Sequence, residues 1–196
     1  MNPETDRIDT PPIKAPAMSP RSAALLAVLA VLVVVWSGSV ETDLTWILFS
    51  ALLGWGLLAL AWIDWRALRL PDALTLPLIA LGLAYAWLDS PAAFYSVVIG
   101  ALAGYAALVI VGVCYRRLRG RDGLGRGDAK LLAAGGAWLG WEALPSVVLL
   151  AALLGLSLAL VQRLRGARLT AQSVIPFGPP LALAIWLIWI YGLPFD

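Results

Sequence analysis

Polar residues along this chain fall in short clusters between long apolar runs. Seven runs stand out, at residues 23–40, 44–63, 73–88, 92–115, 129–141, 143–161 and 179–193. A helix needs roughly 20 apolar residues to cross a hydrocarbon layer about 30 Å thick, and most of the runs approach that length. Backbone amides in lipid must find partners within their own segment, so the runs predict helices. The run at 129–141 is short for a full span, which a tilt or a start below the membrane surface would explain. The expectation is an all-α fold: a polytopic membrane helix bundle of about seven transmembrane helices.

The charges give that map an orientation. Of the fourteen Lys and Arg, thirteen fall before the first run or between runs two and three, four and five, or six and seven, and the last, Lys130, is the second residue of run five, at the same end. The intervening connections hold no basic residue and carry Glu41, Asp43, Asp89 and Glu142. Basic loops stay in the cytoplasm, so the N-terminus is expected there and the C-terminus on the periplasmic side. Trp36, Trp46, Trp62, Trp65, Trp87 and Trp141 sit near run ends, as an interfacial aromatic belt would. Residues 1–21 hold five of the thirteen prolines and read as a disordered cytoplasmic tail, with residues 22–196 as the transmembrane domain. The first run, preceded by Lys14 and Arg21 and followed by Ser37-Gly38-Ser39, has a cleaved signal peptide as its alternative reading.

Composition narrows the chemistry. Apolar residues make up 61% of the 196 and charged residues 13%, with a mean hydropathy of +0.87. Soluble domains run at roughly 45–50% and about 25%. There is no histidine and one cysteine. A disulfide framework, a Cys/His zinc site, a Ser-His-Asp triad and a His-ligated haem all lack their parts. No metal and no cofactor are expected. The net charge of +2 is too small to argue for nucleic acid. The GxxxG spacings at Gly100–Gly104 and Gly136–Gly140 predict close helix approach, within the bundle or at a dimer face.

Four carboxylates, Asp64, Asp72, Asp122 and Asp128, fall at the cytoplasmic ends of the runs. Taken singly they have plain readings. Asp128 could cap a helix N-terminus, and Asp64 could be an interfacial charge beside Arg66 or Arg69. Taken as a pair they suggest more, because ionisable groups at membrane depth are costly and tend to serve function. Two close carboxylates share one proton, so one can activate water while the other protonates a carbonyl oxygen. Without histidine, proteolysis has this Asp pair or a Ser-Lys arrangement, and neither Lys14 nor Lys130 has a serine adjacent in sequence.

Four segments then resemble one family. They are Ile63-Asp64, Leu70-Pro71-Asp72-Ala73-Leu74-Thr75-Leu76-Pro77, Gly125-Arg126-Gly127-Asp128-Ala129-Lys130-Leu131 and Pro176-Phe177-Gly178-Pro179. In this order they resemble the type IV prepilin leader peptidases, membrane aspartic proteases of the GxGD class. The resemblance implies that Asp64 and Asp128 are the catalytic pair. It implies that Gly125 and Gly127 shape the loop presenting Asp128, and that Lys130 supports the site by charge. Pro71, Asp72 and Thr75 would build the turn after the first catalytic Asp, and Pro176, Phe177, Gly178 and Pro179 would help form the substrate cleft. The implied partners are the lipid bilayer and prepilins or pseudopilins of type IV pili or type II secretion. Such substrates carry a short basic leader before an apolar helix. The implied location is the bacterial inner membrane, with cleavage at the cytoplasmic face.

Many members also N-methylate the product and carry two CxxC pairs that bind zinc. A single cysteine departs from that pattern, so N-methylation is expected to be absent. Two alternatives stay open. A presenilin-like GxGD intramembrane protease would pair Tyr-Asp with Pro-Ala-Leu, whereas Ile63 precedes Asp64 here and the late motif is Pro-Phe-Gly-Pro. A non-enzymatic transporter or assembly protein would call for charges near span centres, and the runs lack them.

Overall fold

A computed structural model of the chain describes residues 19–120, 125–166 and 176–192. Among these the structure is all-helical, with seven α-helices: α1 (Pro20–Val40), α2 (Leu44–Ala67), α3 (Asp72–Asp89), α4 (Phe94–Arg119), α5 (Arg126–Leu139), α6 (Leu144–Leu164) and α7 (Gly178–Tyr191). A 3-10 turn, Pro91–Ala93, leads into α4. Each helix coincides with one of the apolar runs. Most of the tail expected at residues 1–21 lies outside the described residues; its last two, Pro20 and Arg21, form the first turn of α1.

Local chemistry sets the helix ends. The Ser19 hydroxyl accepts from the Ser22 N–H at the start of α1, with Pro20 in the first turn. The Asp43 carboxylate accepts from the Trp46 N–H at 2.8 Å and caps α2. Leu68 ends α2 in the left-handed region at φ 50°, and its N–H returns to the Asp64 carbonyl at 2.9 Å. Pro71 cannot continue that helix and instead precedes the first turn of α3.

Among the described residues five helical segments are long and apolar enough to cross a membrane: α1, α2, α3, the stretch Pro91–Leu118 and α6. The shorter α7 is also apolar. The outer helices turn large apolar side chains away from the protein, as Leu149, Leu153 and Leu156 of α6 do at 55, 54 and 68% exposure. A soluble domain rarely exposes a contiguous apolar face of that kind, whereas lipid solvates it.

The centre of the bundle is built from α5 and α7, each 14 residues long. Leu131 and Leu132 of α5 and Leu181 and Ile185 of α7 are fully buried. Small residues let α5 sit there. A methyl on Gly100 of α4 would lie 2.5 Å from the Gly136 carbonyl oxygen of α5, and one on Gly104 would lie 2.7 Å from the Leu132 oxygen. The Gly100–Gly104 spacing therefore packs α4 against α5 inside the bundle. The Trp138 indole N–H donates to the Leu78 carbonyl at 2.8 Å and ties α5 to α3 near Pro77.

These contacts give a stability prediction. Alanine favours a helix interior over glycine by about 1 kcal/mol. At Gly136, however, the new methyl would meet the Gly100 oxygen at 2.1 Å, and backbone cannot rotate aside as a side chain can. Overpacking costs about 1–3 kcal/mol or more, so the clash wins. Gly136→Ala should lower the thermal unfolding temperature in detergent. An unchanged or raised midpoint would contradict this packing.

Candidate active site

Asp64 lies three residues before the end of α2. At 6% exposure it is the one buried charged residue among the described residues. The Arg66 guanidinium lies 4.4 Å from the centroid of the Trp62 ring and does not pair with Asp64. The partner of Asp64 is backbone: the Gly178 N–H, at the first position of α7, donates to Oδ2 at 2.9 Å. A methyl on Gly178 would lie 2.6 Å from that oxygen, so only glycine lets this backbone close on the carboxylate.

Asp128 sits in the first turn of α5, outside the five long apolar segments. It does not cap the helix, because Gly125 holds the cap position and no side-chain capping bond forms. Its N–H donates to the Gly125 carbonyl at 3.2 Å. Gly127 packs against Leu70, where an added methyl would lie 2.8 Å from the Leu70 Cβ. That contact sets the loop bearing Asp128 against the segment that leaves α2. Burial first, and then the charge of Asp64, push the Asp128 carboxyl up to about 6; a backbone hydrogen bond with Gly125 pulls the other way. The two carboxylates thus feel each other, and both line one cleft of about 690 Å³.

The remaining residues singled out in the sequence gather around this cleft. Pro71, Asp72, Gly125, Gly127 and Lys130 line it, and Pro176 and Phe177 border it. Lys130 pairs with Asp72 and so ties the first turn of α5 to the start of α3. Thr75 is fully buried behind that turn. Its hydroxyl and N–H both donate to the Pro71 carbonyl, at 3.3 and 3.2 Å. Gly178 reaches Asp64 itself, while Pro179 lines a neighbouring apolar groove. Leu68, Leu70, Arg69 and Arg126 also line the cleft, although the sequence reading gave none of them a role in the site. The basic pair could have been found, because each arginine lies within five residues of one of the two aspartates.

Two carboxylates on separate helices that line one cleft can together move protons around a water molecule. Among the described residues no cluster of three or more His, Cys, Asp or Glu is placed to hold a metal ion.

Residues 51–160, which include both aspartates, match the model of the type IV leader peptidase family. The chain belongs to that family. Curated relatives share this identity. A prepilin leader peptidase/N-methyltransferase of Burkholderia pseudomallei is 48% identical over 139 residues, 71% of this chain and 45% of the relative. The Dickeya chrysanthemi protein of the same name is 48% identical over 139 residues, covering 70% of this chain and 48% of its own. The Pseudomonas aeruginosa protein of that name is 43% identical over 142 residues, covering 72% and 48%. The chain spans about half the length of the curated relatives it matches. No solved structure matches it. In this type IV leader peptidase family member both aspartates lie within the matched region, while the Pro176–Pro179 segment, which borders the cleft at Pro176 and Phe177, lies beyond it.

Proposed function

We propose that the chain is an aspartic endopeptidase that removes the leader from type IV prepilins or type II secretion pseudopilins. The observation that carries this reading is the pair Asp64 and Asp128 on one cleft, with the Gly178 N–H holding Asp64. Asp128 carries the shared proton and Asp64 acts as base. A water oxygen attacks the scissile carbonyl carbon as Asp64 takes a proton from it and Asp128 donates one to the carbonyl oxygen. The tetrahedral species then collapses as the C–N bond breaks: the departing amine takes the proton held by Asp64, and a hydroxyl of the tetrahedral species returns its proton to Asp128 as the new carboxyl group forms.

The same reading supports the topology. With α1 entering from the cytoplasm and seven helices crossing in alternation, the connections around Asp64, Asp128 and Gly178 all fall on the cytoplasmic side, where the basic loops are. On this reading the protein sits in the inner membrane with its C-terminus in the periplasm. The cleft then opens towards a basic leader, and the apolar helix of the substrate stays in the bilayer. The relatives' names join two activities, and this chain, with a single cysteine, has no CxxC pair, so we read it as supplying the peptidase step alone.

The test is cleavage of a prepilin by the purified chain, with N-terminal sequencing and mass measurement of the product. The reading requires a cut between the leader and the apolar segment and an unmethylated new N-terminus. A cut inside the apolar helix would favour an intramembrane protease instead.

The pH profile follows from the raised Asp128 carboxyl. Catalysis needs that proton, so activity falls as pH rises through about 6, well above the ordinary aspartate range near 4. On the acid side, protonation of the base removes activity as well. The expected profile of kcat/KM is a bell. A flat profile between pH 5 and 8 would remove Asp128 from the role of acid.

A further inference from the structure

An apolar groove of about 510 Å³ runs between α1, α2 and α7, and no charged residue lines it. On α2 it follows Ala61, Leu57 and Gly54. These lie three, seven and ten residues before Asp64, which is the spacing of a single helix face. On α7 it follows Pro179, Ala182, Leu183 and Trp186, again one face, starting beside the Gly178 N–H that holds Asp64. The groove therefore begins one helical turn from the buried carboxylate, at Ala61 and at Pro179 next to Gly178, and leads away from the cleft along the bundle's apolar flank. At 1.5 Å per residue it reaches about 12 Å along α7 and about 15 Å along α2. Helix α1 forms the third wall from Leu29 to Ser39 and comes closest at Gly54, where a methyl would lie 2.5 Å from a Val33 methyl.

We propose that this groove seats the apolar segment that follows the scissile bond, over roughly its first eight to ten residues if that segment is helical. The proposal rests on the peptidase reading above. A peptide bond placed between Asp64 and Asp128 leaves its two flanks in different surroundings. One flank meets the polar cleft with Arg69, Arg126 and the Lys130–Asp72 pair. The other meets a wall of aliphatic side chains one turn from Asp64. Lipid tails are as apolar as leucine, so the groove selects its occupant by fit rather than by hydrophobicity.

The experiment uses the full chain in detergent with two substrates. One is a prepilin carrying its leader and apolar segment. The other is a peptide that ends about four residues after the cut, supplied at high concentration. Ala61→Trp and Leu183→Trp fill the groove from opposite walls. Each should raise KM for the prepilin by about tenfold and leave both kcat and KM for the short peptide unchanged. Equal effects on both substrates, or no effect on either, would overturn the proposal. If the wild type cleaves neither substrate, the peptidase reading falls and the groove's role with it.

Cross-linking gives an independent readout that does not depend on turnover. Leu183→Cys in a Cys114→Ser background should form a disulfide with cysteines placed in the first ten substrate residues after the cut. Cross-links to a second copy of this chain, or only to later substrate positions, would assign the groove to another occupant.

Discussion

Asp64→Asn and Asp128→Asn should each lower the rate of leader cleavage by a factor on the order of 10²–10⁴, the usual size of a general acid or base contribution. The double variant should be little worse than either single one, because groups that act as a unit lose their function together. Asparagine keeps the size of aspartate, and at position 64 its amide oxygen can still accept from the Gly178 N–H. Both proteins should therefore fold, which thermal unfolding in detergent can verify. Cleavage by either variant within a few-fold of wild type would remove that residue from the chemistry. Independent, multiplicative losses would mean that the two carboxylates do not share a proton.

Gly178→Ala is the second large effect, and it acts through position alone. The added methyl would lie 2.6 Å from Oδ2 and 2.8 Å from Cγ of Asp64, closer than any real contact, so the carboxylate must move. Displacing a catalytic group by about 1 Å costs on the order of 10²-fold in rate. The loss should appear in kcat, with KM for the substrate nearly unchanged. Backbone strain contributes nothing, because Gly178 is not among the positive-φ glycines. Gly155→Ala is the matched control. Its methyl would stand 3.8 Å from the Phe177 ring, an ordinary contact, and its activity should stay near wild type. If the two variants behave alike, the Gly178–Asp64 contact does not set the rate.

The sequence pattern revealed the helices more readily than their arrangement. Seven apolar runs became seven helices because lipid forces each segment to satisfy its own amides. Which helices lie at the centre was not legible. Hydropathy pointed away from α5, the shortest run and one too short to count among the long spans, yet Ala129 to Trp138 of α5 are buried apart from Lys130. In a bilayer, apolarity reports contact with lipid, while burial between helices is reported by small residues such as Gly136. The two aspartates stood out because, with no histidine and a single cysteine, a pair of carboxylates at one face was the main candidate left for the chemistry. The hold of Gly178 on Asp64 did not, because it joins positions 114 residues apart through a backbone N–H that every residue but proline has.

The short central helices shape the water around the site. At 1.5 Å per residue, the 14 residues of α5 and of α7 rise only about 21 Å, against a hydrocarbon layer of about 30 Å. The 26 residues of α4 at the rim exceed that thickness. At the end of the bundle away from the carboxylates, the shortfall is filled by stacked and edge-on rings of Trp46, Trp138 and Trp189. At the carboxylate end it is left as the open cleft. On the peptidase reading, hydrolysis needs a water molecule at a bond that adjoins an apolar helix, and an open cleft at the end of two short helices admits one. A substrate helix would then not have to leave the bilayer to be cut.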